Sequence, residues 1–164
     1  MATATYTPIA TTTLGSAAAS ITFSSIPSTY TDLRLVLTCT TTANANICVQ
    51  VNNDTATNYS RTYLTAQGSG ASSGGNNSLA YVPINTANTS STIPGLFSID
   101  FFSYAGSTNK TFLANAFYDL NGSGEVCATV GLWRNTAAIT SVTVEVSTYS
   151  TTFGAGTIAT LWGI

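Results

Sequence analysis

The sequence predicts an all-β protein: an antiparallel β-sandwich or jelly roll of roughly eight to ten short strands. Three observations support this prediction. Segments of alternating apolar and polar residues follow one another along the chain, as in half-buried strands. Residues that favour turns separate these segments. No segment shows helical periodicity beyond a single turn, so helices are not expected to contribute to the core.

Ten segments meet these criteria, and most are bounded by Gly, Asn, Asp, Ser or Pro. The aromatic and β-branched residues within them suit a pleated, half-buried surface. In chain order the predicted strands are 19–23, 33–39, 47–51, 59–64, 79–84, 97–101, 112–118, 126–132, 142–146 and 157–162.

The connections between these segments carry further expectations. Strand 47–51 is expected to be the antiparallel partner of strand 33–39, and residues 52–55 to form a turn, because Asn and Asp tolerate left-handed backbone. Pro83 places its segment at a sheet edge, since proline cannot donate to a strand ladder. Residues 67–77 are rich in Gly, Ser and Asn and are expected to form an exposed, mobile loop.

The chain is expected to form one domain, residues 17–164, preceded by an N-terminal arm, residues 1–16. The arm is rich in Thr and Ala and is expected to be loose alone and ordered against a neighbour. The residues predicted to make interactions with that neighbour are Thr5, Tyr6, Pro8, Ile9 and Leu14.

The composition argues against several partners. Only 6% of the residues are charged, with 4 basic and 6 acidic side chains and a net charge of −2. Four basic residues cannot neutralise a nucleic-acid backbone or tether the chain to an anionic membrane, so neither partner is expected. The N-terminus lacks the features of a signal peptide, and no apolar run reaches membrane-spanning length, which predicts synthesis in a cytoplasm.

The same composition predicts no catalytic, cofactor-binding or metal site. The chain has no histidine, which excludes Ser-His-Asp and Cys-His catalysis and Cys/His zinc sites. A pair of carboxylates could still hydrolyse glycosides, and Asp100 and Asp119 could converge from adjacent strands. They could equally be exposed, or be partners of Arg34 and Arg134.

The three cysteines have no metal-binding spacing. Cys39, Cys48 and Cys127 are expected to be buried, reduced and packed as small apolar side chains. A disulfide between Cys39 and Cys48 stays open as an alternative, although a reducing cytoplasm argues against it.

Several stretches of the chain are similar to a known group of proteins. They read ITFSSIP and YTDLRLVL (residues 21–27 and 30–37), VNNDTATNYS (51–60), GLWRNTAAITSV (131–142) and LWGI (161–164). Together they resemble the small Thr/Ser-rich structural proteins of tailed bacteriophages, especially those of aquatic bacteria and cyanobacteria. The resemblance implies a β-sandwich subunit that oligomerises, often as a trimer.

The resemblance leads to three hypotheses, in descending order. The first is a homotrimeric capsid decoration (cement) protein that binds between major capsid protein subunits of the phage head and stabilises the virion. The second is a tail-fibre or receptor-binding module that reads a host glycan through residues 67–77, with Tyr63, Tyr81, Tyr104 and Tyr149 as candidate stacking residues. The third is a carboxylate-based depolymerase.

Overall fold

The computed structural model describes residues 5–86, 89–147 and 150–164, and within them it contains twelve β-strands and no helix. The strands are β1 (Thr7–Thr13), β2 (Ser20–Phe23), β3 (Leu33–Cys39), β4 (Ile47–Val51), β5 (Tyr59–Gln67), β6 (Gly70–Leu79), β7 (Val82–Pro83), β8 (Gly95–Phe101), β9 (Lys110–Asp119), β10 (Gly124–Trp133), β11 (Val142–Val146) and β12 (Ile158–Gly163).

These strands form two antiparallel sheets. The larger sheet has eight strands in the order β1-β12-β3-β8-β9-β10-β5-β6, and the smaller has four in the order β2-β11-β4-β7. Buried side chains of both sheets belong to one hydrophobic core, for example Leu35 and Ile99 of the larger sheet and Val49 and Val144 of the smaller. The predicted antiparallel β-sandwich is therefore confirmed.

Strand β3 follows the expected alternation. Leu33, Leu35 and Leu37 are fully buried in the core, while Arg34 and Val36 lie on the opposite side of the sheet and are only partly buried. Successive side chains of a strand point to opposite faces, so one face of β3 packs in the core.

Strand β10 carries apolar residues on both sides, since Cys127 and Trp133 face the core while two valines face outward. Its apolar residues Val126 and Val130 point outward and are 58% and 48% exposed, whereas Glu125 and Thr129 point inward and are 2% and 0% exposed. An alternating apolar set usually faces the core. In β10 one such set lies on the outward side of the larger sheet.

The two strands that the sequence did not predict, β1 and β6, are the two edges of the larger sheet. The expected loop of residues 67–77 is instead a hairpin, in which β6 pairs with β5 and Gly68 takes a left-handed φ of 53° at the turn. Backbone hydrogen bonds on one side hold such an edge strand, so it needs no apolar pattern of its own.

Part of the expected N-terminal arm is a strand of the larger sheet. Residues 7–13 form β1 and pair with β12 of the same chain, with an irregularity in register between Pro8 and Ala10. Ile9 and Leu14 pack against the core. The segment is therefore ordered by its own sheet and needs no neighbouring molecule to become a strand.

The predicted pairing of β3 with β4 is wrong, because these strands lie in different sheets. Strand β3 pairs with β12 and β8, while β4 pairs with β11 and β7. Cys39, Cys48 and Cys127 are free and buried, which confirms the expectation that they pack as small apolar side chains. Burial raises the pKa of both Cys39 and Cys48 to about 12.

Candidate interaction surface

Three rows of side chains cross the outward side of the larger sheet, and we call this surface the outer face. Within each row the residues lie directly opposite one another on neighbouring strands. The first row is Thr13, Ile158, Thr38, Leu96, Phe117, Val126, Ala66 and Ala71; the second is Thr11, Thr160, Val36, Ser98, Asn115, Ala128, Leu64 and Ser73; the third is Pro8, Trp162, Arg34, Asp100, Leu113, Val130, Thr62 and Gly75.

The outer face carries six of the nine exposed large apolar side chains of the described residues. Each of the six is between 40% and 60% exposed. Single exposed apolar residues are ordinary, but a contiguous group of them marks an interaction surface. The six are Leu64, Leu96, Phe117, Val126, Val130 and Ile158.

The first row forms the most continuous apolar part of this surface. Leu96, Phe117 and Val126 are direct cross-strand neighbours on β8, β9 and β10. Opposite residues of antiparallel strands have Cβ atoms about 5 Å apart, so the three side chains can form one strip. Sequence reasoning singled out none of them for interaction, because the period of a strand does not by itself tell which side faces the core.

The only ionisable acid and base in the three rows are Arg34 and Asp100, and they neutralise each other. Arg34 Nε donates to Asp100 Oδ1 at 2.6 Å, and Arg34 Nη2 donates to Oδ2 at 2.8 Å. Tyr6 stands beside this pair, because its hydroxyl accepts from Arg34 Nη1 at 3.0 Å. The three rows are therefore without net charge, and the exposed Asp119 lies just beyond the first row, two residues after Phe117 on the same side of β9.

The five N-terminal residues predicted to interact divide between this surface and the core. Thr5 is exposed, Tyr6 contacts Arg34 and meets the ring of Trp162 edge-on at 6.4 Å, and Pro8 lies in the third row. Ile9 and Leu14 are partly buried against the core. The structure thus brings Tyr6 and Pro8 to the margin of the outer face.

Glu125 lies beneath the outer face and joins the two sheets through a hydrogen-bond network. Its carboxylate accepts from the Thr65 hydroxyl at 2.7 Å, from the Thr86 backbone N–H at 2.9 Å, and from the hydroxyls of Thr86 and Tyr118. Burial disfavours the charge, but the hydrogen bonds from these three residues outweigh it and lower the pKa of Glu125. Thr86 follows β7 of the smaller sheet, so the network fastens that segment to β10.

Lys110 is also buried and serves the structure. It is 1% exposed, and its Nζ donates to the backbone carbonyls of Gly106, Thr108 and Thr136. An ammonium group has three donors, so all of them are used. Burial lowers the pKa of this lysine, and its hydrogen bonds join the loop between β8 and β9 to the segment after β10.

The carboxylates proposed as a catalytic pair do not converge. Asp100 lies opposite Leu113 on β9, and Asp119 lies six positions farther along that strand, which separates them by about 20 Å. Asp100 is paired with Arg34, as one alternative expected, while Asp119 accepts from the Gly122 backbone N–H at 2.8 Å.

The turn at residues 52–55 is confirmed, and its acid has a structural role. Asn52 and Asn53 have left-handed φ values of 53° and 51°. Asp54 accepts from Asn58 Nδ2 at 2.9 Å and from Trp133 Nε1 at 2.7 Å, and these bonds lower its pKa. The described residues contain no group of three or more Cys, Asp or Glu side chains placed to hold a metal ion.

The features expected of a glycan site are dispersed. Tyr104 is fully buried, and its hydroxyl donates to the Pro27 carbonyl, while Tyr63 lies under the guanidinium of Arg61 at 4.4 Å. Tyr149 lies outside the described residues. A pocket of about 260 Å³ beside β6 is lined by hydroxyl, amide and small side chains: Thr65, Gln67, Gly70, Ala71, Ser72 and Thr86.

Comparisons with known proteins show a likeness at the level of structure. No protein-family model and no curated protein matches the sequence. A crystal structure of the galectin LEC-6 from Caenorhabditis elegans aligns over 100% of this chain and 93% of its own, with 12% identity and a TM-score of 0.34. Within the described residues, no helix has the length and hydrophobicity that a membrane crossing requires.

Proposed function

We propose that this chain is a structural protein of a bacteriophage virion, a decoration (cement) protein that stabilises the head by adhesion between major capsid subunits. The observation that carries the proposal is the outer face, a broad uncharged surface with six exposed apolar side chains. A surface of this kind is suited to permanent contact inside an assembly.

The use of the charged residues supports a role without catalysis. Glu125, Lys110 and Asp54 are each held by several hydrogen bonds that fasten strands or loops together. Catalytic groups are usually perturbed in a cleft where a substrate can reach them. These three residues stabilise the strands and loops of the sandwich, as the proposed structural role requires.

In this proposal the N-terminal region makes a further contact, separate from the outer face, with the capsid protein. Strand β1 is an edge strand whose outer backbone groups face away from β12, and its residues Thr7–Thr13 carry no charge. Uncharged edges pair readily with strands of other chains. Tyr6 and Pro8 stand at the same margin, so this edge is the proposed contact with the capsid protein.

Copy number in purified particles tests this function. Quantitative mass spectrometry of virions carrying this chain should find hundreds of copies per particle, and cryo-electron microscopy should place them on the shell. A few tens of copies on the tail would favour the receptor-binding alternative. Absence of the chain from particles, together with its presence in the lysate, would overturn a virion role.

The glycan-binding alternative ranks second because its expected loop is strand β6. The pocket beside β6 offers Gln67, Ser72 and Thr86 as polar groups, but none of the described residues lining it is aromatic. Sugar rings usually stack on an aromatic side chain, so this pocket lacks the main recognition element.

A further inference from the structure

We infer that the outer face is the contact between copies of this chain, and that a second copy covers its six exposed apolar side chains. The inference rests on the proposed function, because it assigns one of the adhesive surfaces of that assembly to self-association. It follows from the polarity of β10, from the charge of the face and from its area.

Strand β10 exposes two valines to solvent, although Cys127 and Trp133 on its inward side lie in the core. Val126 and Val130 are about half exposed, while Glu125 beneath them is buried with hydrogen bonds from three residues. A one-residue shift in register would bury the valines only by exposing Cys127 and Trp133. Within the described residues nothing covers the two valines, so another molecule is needed to bury them.

The charge of the face argues against a strongly charged occupant and is compatible with a second copy. Arg34 and Asp100 satisfy each other through two hydrogen bonds, so the three rows present neither excess charge nor a free ionic partner. An acidic or basic partner would gain nothing here and would lose hydration of its own charges. A second outer face is neutral in the same way, so it matches the first without desolvating an unpaired charge.

The area of the face is sufficient for a stable contact between copies. Eight strands about 4.8 Å apart and three rows about 6.7 Å apart give a footprint of up to about 750 Å². Two such footprints bury about 1,500 Å² in total, which is the size of an ordinary specific interface. The second row then lies at its centre, with the first row and the threonines of β1 and β12 nearer the rim.

Sedimentation velocity of the full chain and of outer-face variants tests the inference. The wild-type chain should sediment as a dimer, because a contact between two identical faces closes at two copies. Association should change little between about 0.05 and 0.5 M salt, because the three rows carry no net charge. Val126→Asp and Phe117→Asp should each weaken association at least about tenfold, because each would place an unpaired charge in the contact. Ser24→Asp adds the same charge in the loop after β2 and should leave association unchanged.

Three results would overturn the inference. They are a monomeric wild-type chain at micromolar concentration, an oligomer that both outer-face variants leave intact, and equal dissociation by Ser24→Asp. Circular dichroism and thermal unfolding of each variant separate lost association from lost folding, since the substituted side chains are already exposed. Should Val126→Asp fail to fold, Leu64→Asp at the most exposed of the six positions provides the same measurement.

The failure of this inference can be distinguished from failure of the proposed function. A chain that is monomeric in solution yet present at hundreds of copies per virion would refute self-association through the outer face and retain the decoration role. A chain that associates through the outer face but is missing from virions would retain the contact and refute the role.

Discussion

The outward sides of the two sheets differ although they draw on the same residue types. On the smaller sheet, Thr22 and Thr143 share a hydrogen bond of 2.9 Å, and Gln50 Nε2 donates to the Ala80 carbonyl at 3.2 Å. None of the nine exposed large apolar side chains lies on strands β2, β4, β7 or β11. The outer face of the larger sheet instead carries six of them.

This contrast shows that low charge alone does not decide how much apolar area a sheet exposes. Both sides are nearly uncharged, but the smaller sheet satisfies its polar groups within the chain and presents little apolar area. The larger sheet exposes apolar area that its own chain does not cover. A molecule that covered the larger sheet would therefore bury apolar area, whereas one that covered the smaller sheet would bury little.

The largest effect on stability is expected at the glutamate beneath the outer face. Glu125→Gln should lower the free energy of unfolding at pH 7 by about 2–3 kcal/mol, because charge-assisted hydrogen bonds from Thr65, Thr86 and Tyr118 weaken. The folded-state pKa of Glu125 is lowered, so its stabilisation is present above the unfolded pKa and is lost as the pH falls through the folded value. Urea unfolding at several pH values measures this.

Glu145 on the smaller sheet is the matched control for that substitution. Burial raises its pKa, so its ionisation opposes folding, and stability falls as the pH rises from the unfolded pKa through the folded pKa. Glu145→Gln should thus leave the protein equally or slightly more stable at pH 7. An equal loss of stability in both variants would contradict the structural role assigned to Glu125.

The next largest effect on stability is expected when the ion pair of Arg34 and Asp100 is broken. Arg34→Met should cost about 1–2 kcal/mol, because the largely buried Asp100 carboxylate loses both of its charge-assisted hydrogen bonds. The variant face also becomes negative, so association should weaken and become dependent on salt. Differential scanning calorimetry and sedimentation measure the two parts.

Arg134→Met is the control for the arginine substitution. Arg134 is exposed and donates to the Thr57 carbonyl at 2.6 Å, away from the outer face. Its loss should have little effect on stability and none on association. Unchanged association in Arg34→Met would mean that the pair does not lie in the contact.

The smallest effect is expected on the smaller sheet. Thr22→Val removes the hydrogen bond to Thr143 at an exposed site and should cost about 0.5 kcal/mol or less. It also adds an apolar group to that side, and association should not increase, because one side chain does not make a contiguous patch. Chemical denaturation and sedimentation test both statements, and new association would remove the contrast between the two faces.

The sequence by itself determined the fold class and most of the strands. Leu33, Leu35 and Leu37 alternate with less buried residues, and that period places a strand on the core whichever strand lies beside it. Ten of the twelve strands carry such local signals. The turn at Asn52 and Asn53 was also local, because these side chains tolerate the left-handed backbone that the turn needs.

Only the tertiary structure decided which strands pair, which side of β10 faces the core, and where the sheet ends. Strand β6, with the sequence GASSGGNNSL, is a strand because β5 offers it a ladder of backbone hydrogen bonds, and no side-chain pattern encodes that. The inward position of Glu125 depends on Tyr118 of the neighbouring strand β9 and on Thr65 and Thr86, which are distant in sequence. Pairing and burial are long-range properties, so the outer face becomes visible only once the sheets are assembled.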